Sequence, residues 1–271
     1  MNYTYKTPKT LDEMIQHLKN SKNIVFNDIS EENAKTILYK YNYINVITPF
    51  KYKYAKNEKG KLIKDSKNNH IYLKEVEFSQ YYSHYLKERT NYHIIYHNII
   101  VFETMFNSIL SYELITNYNL IDTNQLKALI LQLKNNNTIL KDNLNKVKSI
   151  NRVFDKIIKE TNEIKNIYNY LDNLTLNQAY TIYRFIDKEI KLKIFKYLSE
   201  VDMTFNRTRF NQFENILRNV INIRNTVCHG NSIEILKRYY DKKEKSLRSK
   251  TEYKIYENLI ELLETRKPQL W

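Results

Sequence analysis

Arg224, Asn225 and His229 form the pattern Arg-Asn-x-x-x-His, whose residue types are suited to chemistry on a phosphodiester. A histidine titrates near neutral pH and can accept or donate a proton. An arginine keeps its charge and offers a planar fork of donors that matches phosphate oxygens. An asparagine can orient a ring or a backbone group but cannot transfer a proton. These types are the ones that metal-free cleavage of RNA requires, in which the substrate's own 2′-hydroxyl is the nucleophile.

The segment 219–235 must position these side chains, and its apolar residues recur at steps of three and four, which predicts an amphipathic helix. On that helix Asn225 and His229 share one face, whereas Arg224 lies in the apolar sector, about 140° from His229. RNA cleavage also benefits from two proton-transfer groups, and the motif supplies one. A two-fold dimer would bring two copies of Arg224 and His229 together and meet both requirements.

The pattern Arg224-Asn225-x-x-x-His229 resembles the Arg-x(4–6)-His motif of HEPN ribonucleases. It is most similar to the Abi-like group of bacterial abortive-infection proteins, AbiD and AbiF. The stretches TLDEMIQHLKNSKNIVFND and AKTILYKYNYINVITPF resemble the opening segment of that family, and residues 78–85 and 101–106 resemble its central helix. Gly230 departs from the pattern, because many relatives have a second histidine or an aspartate after the motif histidine.

The resemblance implies an all-α, HEPN-type helical bundle in a homodimer. It implies a defence or toxin-type endoribonuclease that needs no cofactor or metal and leaves 2′,3′-cyclic phosphate ends. Arg224, Asn225 and His229 would be catalytic. The resemblance also favours Glu103, beside the apolar stripe of an earlier helix, as the carboxylate that supports Arg224, over a solvated residue at the helix edge. A small structured non-coding RNA would be a partner in addition to the RNA substrate.

The composition agrees with a helical protein that binds a polyanion. With 2 Gly and 3 Pro in 271 residues, the chain lacks the turn residues that a large β-sandwich or barrel needs. Its 44 basic and 30 acidic side chains give a net charge of +14, which favours RNA, DNA or an anionic membrane as partners. Two basic runs are the predicted RNA contacts, although each also fits a solvated face. They are Lys51, Lys53 and Lys56, and then Lys237, Arg238, Lys242, Lys243, Lys245 and Arg248.

The sequence also bears on a metal site, on disulfide bonds and on the location of the protein. His84, His93 and His97 lack an HExxH pattern or a cysteine cluster, so no metal site is predicted. The single cysteine, Cys228, excludes an intramolecular disulfide and is expected to be a half-buried packing residue. No signal segment opens the chain and no uninterrupted apolar run approaches 18 residues, so a cytoplasmic protein without a membrane span is expected.

The predicted organisation is a small N-terminal helical unit with a basic loop, residues 1–75, and a helical domain, residues 76–271. Within the first unit we expect two helices capped by Thr10 and Ser30, and a basic stretch at 50–75 that suits a short β-hairpin turning at 57–60. The expected helical segments of the second part are 76–117 as two helices or one broken helix, 122–172 with a break at 135–137, 175–198, and the motif helix from about 206.

Three alternatives to a nuclease remain at this point. The trio could grip phosphate in an RNA-binding protein without catalysis. Arg224 could instead form a structural pair with a carboxylate, beside a histidine whose hydrogen bonds are satisfied. The N-terminal helices could also form a helix-turn-helix that binds DNA, although the second basic run is far from them in sequence.

Overall fold

The structure is a computed structural model that describes residues 8–58, 61–136, 144–163, 166–201 and 209–237. It is mostly helical, which confirms the all-α prediction. The helices are α1 (Leu11–Lys22), α2 (Glu31–Tyr41), α3 (Tyr43–Val46), α4 (Phe78–Tyr118), α5 (Thr123–Asn136), α6 (Leu144–Thr161), α7 (Ile167–Asp172), α8 (Leu176–Phe185), α9 (Lys188–Val201) and α10 (Phe210–Cys228). The strands are β1 (Ile24–Val25), β2 (Asn57–Glu58), β3 (Lys61–Leu62) and β4 (Val76–Glu77).

The chain divides into two compact units. The described part of the first comprises residues 8–93 and 229–237, and that of the second comprises residues 94–228. Helix α4 therefore contributes its first sixteen residues, 78–93, to the first unit and the rest to the second. The division at residue 75 expected from the sequence remains a prediction about how the chain is organised.

The N-terminal helices of the first unit begin where the sequence predicts. Thr10 and Glu13 form a reciprocal capping box at the start of α1, and the Ser30 side chain accepts from Asn33 N at the start of α2. Strand β1 pairs in parallel with β4 and so joins the end of α1 to the start of α4. Beneath them lies an apolar core with Phe78 and Tyr81 at its centre.

The basic stretch at 50–75 contains the predicted hairpin. Strands β2 and β3 pair antiparallel, with Asn57 opposite Leu62 and Glu58 opposite Lys61. Further bridges join Ala55 to Tyr72 and the backbone of residue 64 to that of residue 70. The stretch is thus a small extended appendage of a helical unit, and Tyr72 anchors it because its hydroxyl accepts a hydrogen bond from Lys22 Nζ at 3.0 Å.

Helix α4 is continuous over 41 residues, so the expectation of two helices or one broken helix was wrong. No proline or glycine interrupts it. A window of 18 residues has a mean hydropathy of 1.2, which makes α4 the described helix that is long and apolar enough to span a membrane. No such segment was expected, because the sequence contains no long uninterrupted apolar run. Helix α4 passes the hydropathy criterion because it mixes apolar residues with uncharged polar ones. Since 44% of the window is buried inside the fold, the helix also fits the core of a soluble protein.

The second unit contains α5 to α10, and one predicted helix is divided there. Helix α8 begins near the predicted start, where Thr175 forms a capping box with Gln178, but it ends at Phe185 and α9 starts at Lys188. Ile186 adopts an extended conformation, φ −72° and ψ 166°, and buries its side chain, which ends the helix without proline or glycine. Helix α5 ends at Asn136, within the predicted break at 135–137, and residues 137–143 lie outside the described residues.

Aromatic packing holds α4, α8 and α10 together in the second unit. The Tyr183 ring lies between Phe106 and Phe213, with edge contacts at centroid distances of 5.8 and 5.6 Å. Asn107 of α4 is buried and donates to the carbonyl oxygens of Asp172 and Leu174, which fixes the loop before α8. These contacts place one buried face of α10 against the α4 segment that carries Glu103.

Candidate active site

Helix α10 carries Arg224 at the edge of its buried face. Its apolar residues pack inward, and Val220 and Ile223 are buried one turn and one residue before the arginine. The Arg224 side chain is 30% exposed to solvent. The sequence predicts Arg224 inside the apolar sector, whereas the structure places it at the edge of that sector, half-buried, and the neighbouring Asn225 is exposed.

Glu103 lies within ion-pair distance of Arg224, as the sequence predicts. The Arg224 Nε atom is 3.8 Å from Glu103 Oε2, and the glutamate side chain is 12% exposed. Neither of these two atoms has a hydrogen-bond partner, so the contact is electrostatic and has room to adjust. Among the described residues, no hydrogen bond engages the terminal nitrogens of Arg224 either.

The other oxygen of Glu103 is firmly held. Oε1 accepts a hydrogen bond from Leu176 N at 2.7 Å, at the first residue of α8. A carboxylate at a helix N-terminus satisfies a free N–H group and is favoured by the helix dipole. Glu103 therefore connects three helices of the second unit, and its position in front of Arg224 does not depend on the arginine.

His229 lies beyond the motif helix, contrary to the prediction. Helix α10 ends at Cys228, and His229 and Gly230 form a turn with Gly230 at φ +65°. This left-handed conformation favours glycine and commonly ends helices. The i,i+4 helical relation between Asn225 and His229 is therefore wrong. His229 is exposed, and Cys228 is exposed too, which corrects the expectation of a half-buried packing residue.

Three residues of α4 contact the segment that follows His229, and sequence reasoning missed them. Arg89 Nη2 donates to Gly230 O, and the Tyr92 hydroxyl donates to Asn231 O and accepts from Ile233 N. Glu88 Oε1 accepts from the Ser232 hydroxyl and from the backbone of residue 234. All of these residues belong to the first unit. Their separations in sequence exceed 130 residues, so no local signal reveals the contacts.

The first basic run lies on the first unit with aromatic rings among its lysines. Lys51 Nζ is 4.9 Å from the centre of the Tyr52 ring, and Lys53 Nζ is 5.6 Å from that of Phe50. Lys56 is exposed beside the hairpin. In the second run Lys237 is half-buried, and its other members lie outside the described residues, namely Arg238, Lys242, Lys243, Lys245 and Arg248.

Metal-ligand clusters of three or more histidine, cysteine or carboxylate side chains are absent from the described ranges. His84 instead stacks on Phe50 at 5.4 Å, and burial together with the nearby Lys53 ammonium lowers its pKa. His93 and His97 are exposed on α4. A cavity of about 400 Å³ opens in the second unit, away from the motif residues. It is lined by Tyr183, Lys188, Lys191, Phe210, Asn211, Glu214 and Asn215.

The fold and the motif together define an all-α protein with an Arg-x4-His segment at the end of a core helix. A comparison with known protein families matches residues 36–233 to the family described as Abi-like protein. The match covers more than half of the chain and contains both Arg224 and His229, so this chain belongs to the Abi-like protein family. Membership indicates a role in abortive-infection defence. Neither curated proteins nor solved structures gave a match.

Proposed function

We propose that this chain is a metal-independent endoribonuclease of abortive-infection defence, acting in the cytoplasm as a homodimer. The proposal rests on where the two motif side chains lie in this chain of the Abi-like family. Arg224 is held near Glu103 with its terminal nitrogens unengaged by the described residues, and His229 is exposed in the turn that follows. An arginine with free donors and a solvent-facing imidazole are what a phosphodiester substrate requires.

The proposed reaction needs two proton transfers. The His229 imidazole of one protomer takes the proton of the 2′-hydroxyl, and the 2′-oxygen attacks phosphorus. The bond to the 5′-oxygen breaks, and that oxygen takes a proton from the protonated His229 of the other protomer. The products are a 2′,3′-cyclic phosphate and a 5′-hydroxyl. Arg224 binds the non-bridging oxygens, whose negative charge grows as the phosphorane forms.

Asn225 has a different role in this proposal from the one expected on a helix. Because His229 lies beyond the end of α10, a helical i,i+4 hydrogen bond cannot orient its ring. Asn225 is exposed on the last turn of α10 and offers both a donor and an acceptor to RNA. We assign it to substrate contact rather than to orientation of the imidazole.

The test is cleavage of a mixed, end-labelled RNA pool in the presence of excess chelator. We expect full activity with chelator and a loss of at least about 100-fold in His229→Ala and in Arg224→Ala, because each removes one catalytic group. His97→Ala is the matched control, since it removes an exposed histidine from α4. Activity abolished by chelator and restored by added metal would contradict the metal-free mechanism.

The dimer is tested by mixing two inactive proteins, Arg224→Ala and His229→Ala. A mixed dimer holds one intact Arg224 and one intact His229 on different chains. A shared site should therefore regain part of the cleavage, limited by the loss of one of the two proton-transfer groups. Full cleavage by a protein that stays monomeric at the working concentration, with or without RNA, would contradict the composite site.

A second function is favoured by one observation, the pairing of Arg224 with Glu103. If that pair is purely structural, the chain is an RNA-binding protein of an abortive-infection or toxin–antitoxin system without catalysis. A small structured non-coding RNA is a proposed partner in either case, with Lys51, Lys53 and Lys56 as its proposed contacts. RNA binding without cleavage, unaffected by His229→Ala, would establish this second function.

A further inference from the structure

The segment directly after His229 is fixed by a small polar cluster rather than by apolar packing alone. Ser232 is buried, and its hydroxyl donates to Glu88 Oε1 at 2.8 Å. The same oxygen accepts from Glu234 N at 3.1 Å. Glu88 thus satisfies the Glu234 N–H, one of the first backbone groups of the helical turn at residues 233–237, and this N–H also donates to Ser232 Oγ at 3.2 Å.

Tyr92 holds the same segment through its hydroxyl alone. The O–H group donates to Asn231 O and accepts from Ile233 N at 3.1 Å, so one atom fixes two peptide groups that are two residues apart. The Tyr92 side chain is 7% exposed, and burial together with the nearby Glu88 carboxylate raises its pKa. The hydroxyl thus keeps its proton at neutral pH and stays a donor to Asn231.

Arg89 fixes the residue next to His229. Its guanidinium lies 4.9 Å from the centre of the Tyr85 ring and 4.8 Å from that of Tyr92, and it donates to the carbonyl oxygen of Gly230. A planar guanidinium held by two rings has little freedom, so it defines the position of that carbonyl. A Cβ atom at Gly230 would meet Arg89 Nη1 at 3.5 Å, an ordinary contact, so the φ of +65° is the stronger reason for glycine there.

Holding a surface turn in this way buries polar groups at a cost in free energy, which indicates that the fixed conformation has a function. Glu88 is largely removed from water, and this burial raises the pKa of its carboxyl group. The Arg89 Nε atom is buried without a hydrogen-bond partner. A surface turn that only linked two helices would need neither group, because turns tolerate motion and variation. The residue directly before this restrained segment is the exposed His229.

We propose that Glu88, Arg89 and Tyr92 are positioning residues, which hold the segment after His229 in one conformation so that the imidazole is in place for proton transfer. The role in proton transfer rests on the proposed nuclease function, whereas the restraint on His229 does not. Misplacing a catalytic group by about 1 Å is enough to cost up to about 100-fold in rate. The expected signature is therefore a lower kcat at an unchanged KM.

The experiment compares Tyr92→Phe with Tyr96→Phe in the full chain. Tyr92→Phe keeps the ring beside Arg89 and removes only the hydroxyl that contacts Asn231 and Ile233. Tyr96 is 42% exposed, one turn further along the same helix, and provides the matched control. Cleavage kinetics are measured alongside the NMR titration of the His229 ring proton, assigned among the 6 histidines by its loss in His229→Gln.

We expect Tyr92→Phe to lower kcat about 10- to 100-fold, to leave KM within about twofold, and to shift the His229 titration, while Tyr96→Phe changes none of these. Arg89→Lys keeps the charge but loses the planar fork, so it should show the same direction of change. It also serves as the second variant if Tyr92→Phe fails to fold.

A Tyr92→Phe protein with a lower melting temperature but unchanged kcat and an unchanged His229 titration would overturn the proposal, because the cluster would then be only structural. If the wild-type protein cleaves no RNA, the proposed function fails separately. The His229 titration then decides the restraint by itself, with a shift in Tyr92→Phe supporting it and an unchanged titration refuting it.

Discussion

The contact between Glu103 and Arg224 can be measured as a coupling free energy in a double-mutant cycle of Glu103→Gln and Arg224→Gln. Glutamine at 103 loses the charge but keeps an oxygen that can accept from Leu176 N, so the contact with α8 survives. The cycle therefore isolates the interaction with Arg224 from the general cost of changing Glu103. Unfolding free energies are measured in urea at pH 7 for the four proteins.

The expected coupling is worked from the observed geometry. At 3.8 Å two unit charges interact by about 4 kcal/mol when the effective dielectric constant is about 20. The Arg224 side chain is 30% exposed and the contact has no hydrogen bond, so screening lowers this value strongly. We expect a coupling of about 1 kcal/mol, with a decrease at high salt. Glu103→Ala should cost a further amount of about 1–3 kcal/mol, because the buried Leu176 N–H then loses its acceptor.

The ion pair of Lys191 with Glu214 in the same unit is the matched control. Its atoms are 3.2 Å apart, the pair is hydrogen-bonded, and the side chains are 16% and 41% exposed. It should couple at least as strongly as Glu103 with Arg224. A coupling below about 0.3 kcal/mol for Glu103 and Arg224, with a measurable coupling in the control, would lie within simple additivity. Glu103 would then not hold the arginine, and its role as a supporting residue would be refuted.

Two further predictions concern the first unit. Burial and the nearby Lys51 lower the pKa of Lys22 from its ordinary value of 10.5 to about 8. Below about pH 8 the folded state bears the full cost of burying the charged ammonium, and this cost disappears as the pH rises toward 10.5. Wild-type stability should therefore rise relative to Lys22→Met as the pH increases from 7 to 10, and parallel pH profiles in urea unfolding would contradict the assignment. Changing Lys51, Lys53 and Lys56 together to glutamine should reduce the slope of log affinity for RNA against log salt by up to about three, whereas an unchanged slope would mark them as a solvated face.

Local signals in the sequence predicted where several helices begin. The box at Thr10 and the cap at Ser30 depend on residues three positions apart, so their chemistry is complete within a single turn. The hairpin at β2 and β3 follows from a similarly short pattern. By contrast, the division between α8 and α9 depends on the burial of Ile186 against the rest of the unit. No residue next to Ile186 in the sequence indicates that burial.

The end of the motif helix could have been predicted and was not. Glycine is the most frequent residue just past a helix C-terminus, and Gly230 is one of 2 glycines in the chain. Weighing that signal above the apolar periodicity would have ended the helix before His229. The apolar pattern continues after Gly230 because Ile233 is buried in a separate turn, and periodicity alone cannot distinguish a continued helix from a new one.

The pairing of Glu103 with Arg224 was predictable for a different reason. A guanidinium at the edge of an apolar face must have an anionic partner, and Glu103 is a carboxylate beside a strong apolar stripe. The sequence did not indicate the cluster of Glu88, Arg89 and Tyr92, since the hydrogen-bond partners of these side chains are mostly backbone groups of a turn. Backbone partners are the same for every sequence, so only the folded chain can show which side chains reach them.

Each part of the motif is restrained inside its own compact unit. Glu103 of α4 faces Arg224 in the second unit, and Glu88, Arg89 and Tyr92 of α4 hold the segment after His229 in the first. Since Arg224 is on α10 and His229 is beyond its end, α10 alone does not fix both side chains. Each restraint therefore acts within one compact unit and is tested by itself. The coupling of Glu103 with Arg224 reports on the second unit, and the Tyr92→Phe variant reports on the segment after His229 in the first.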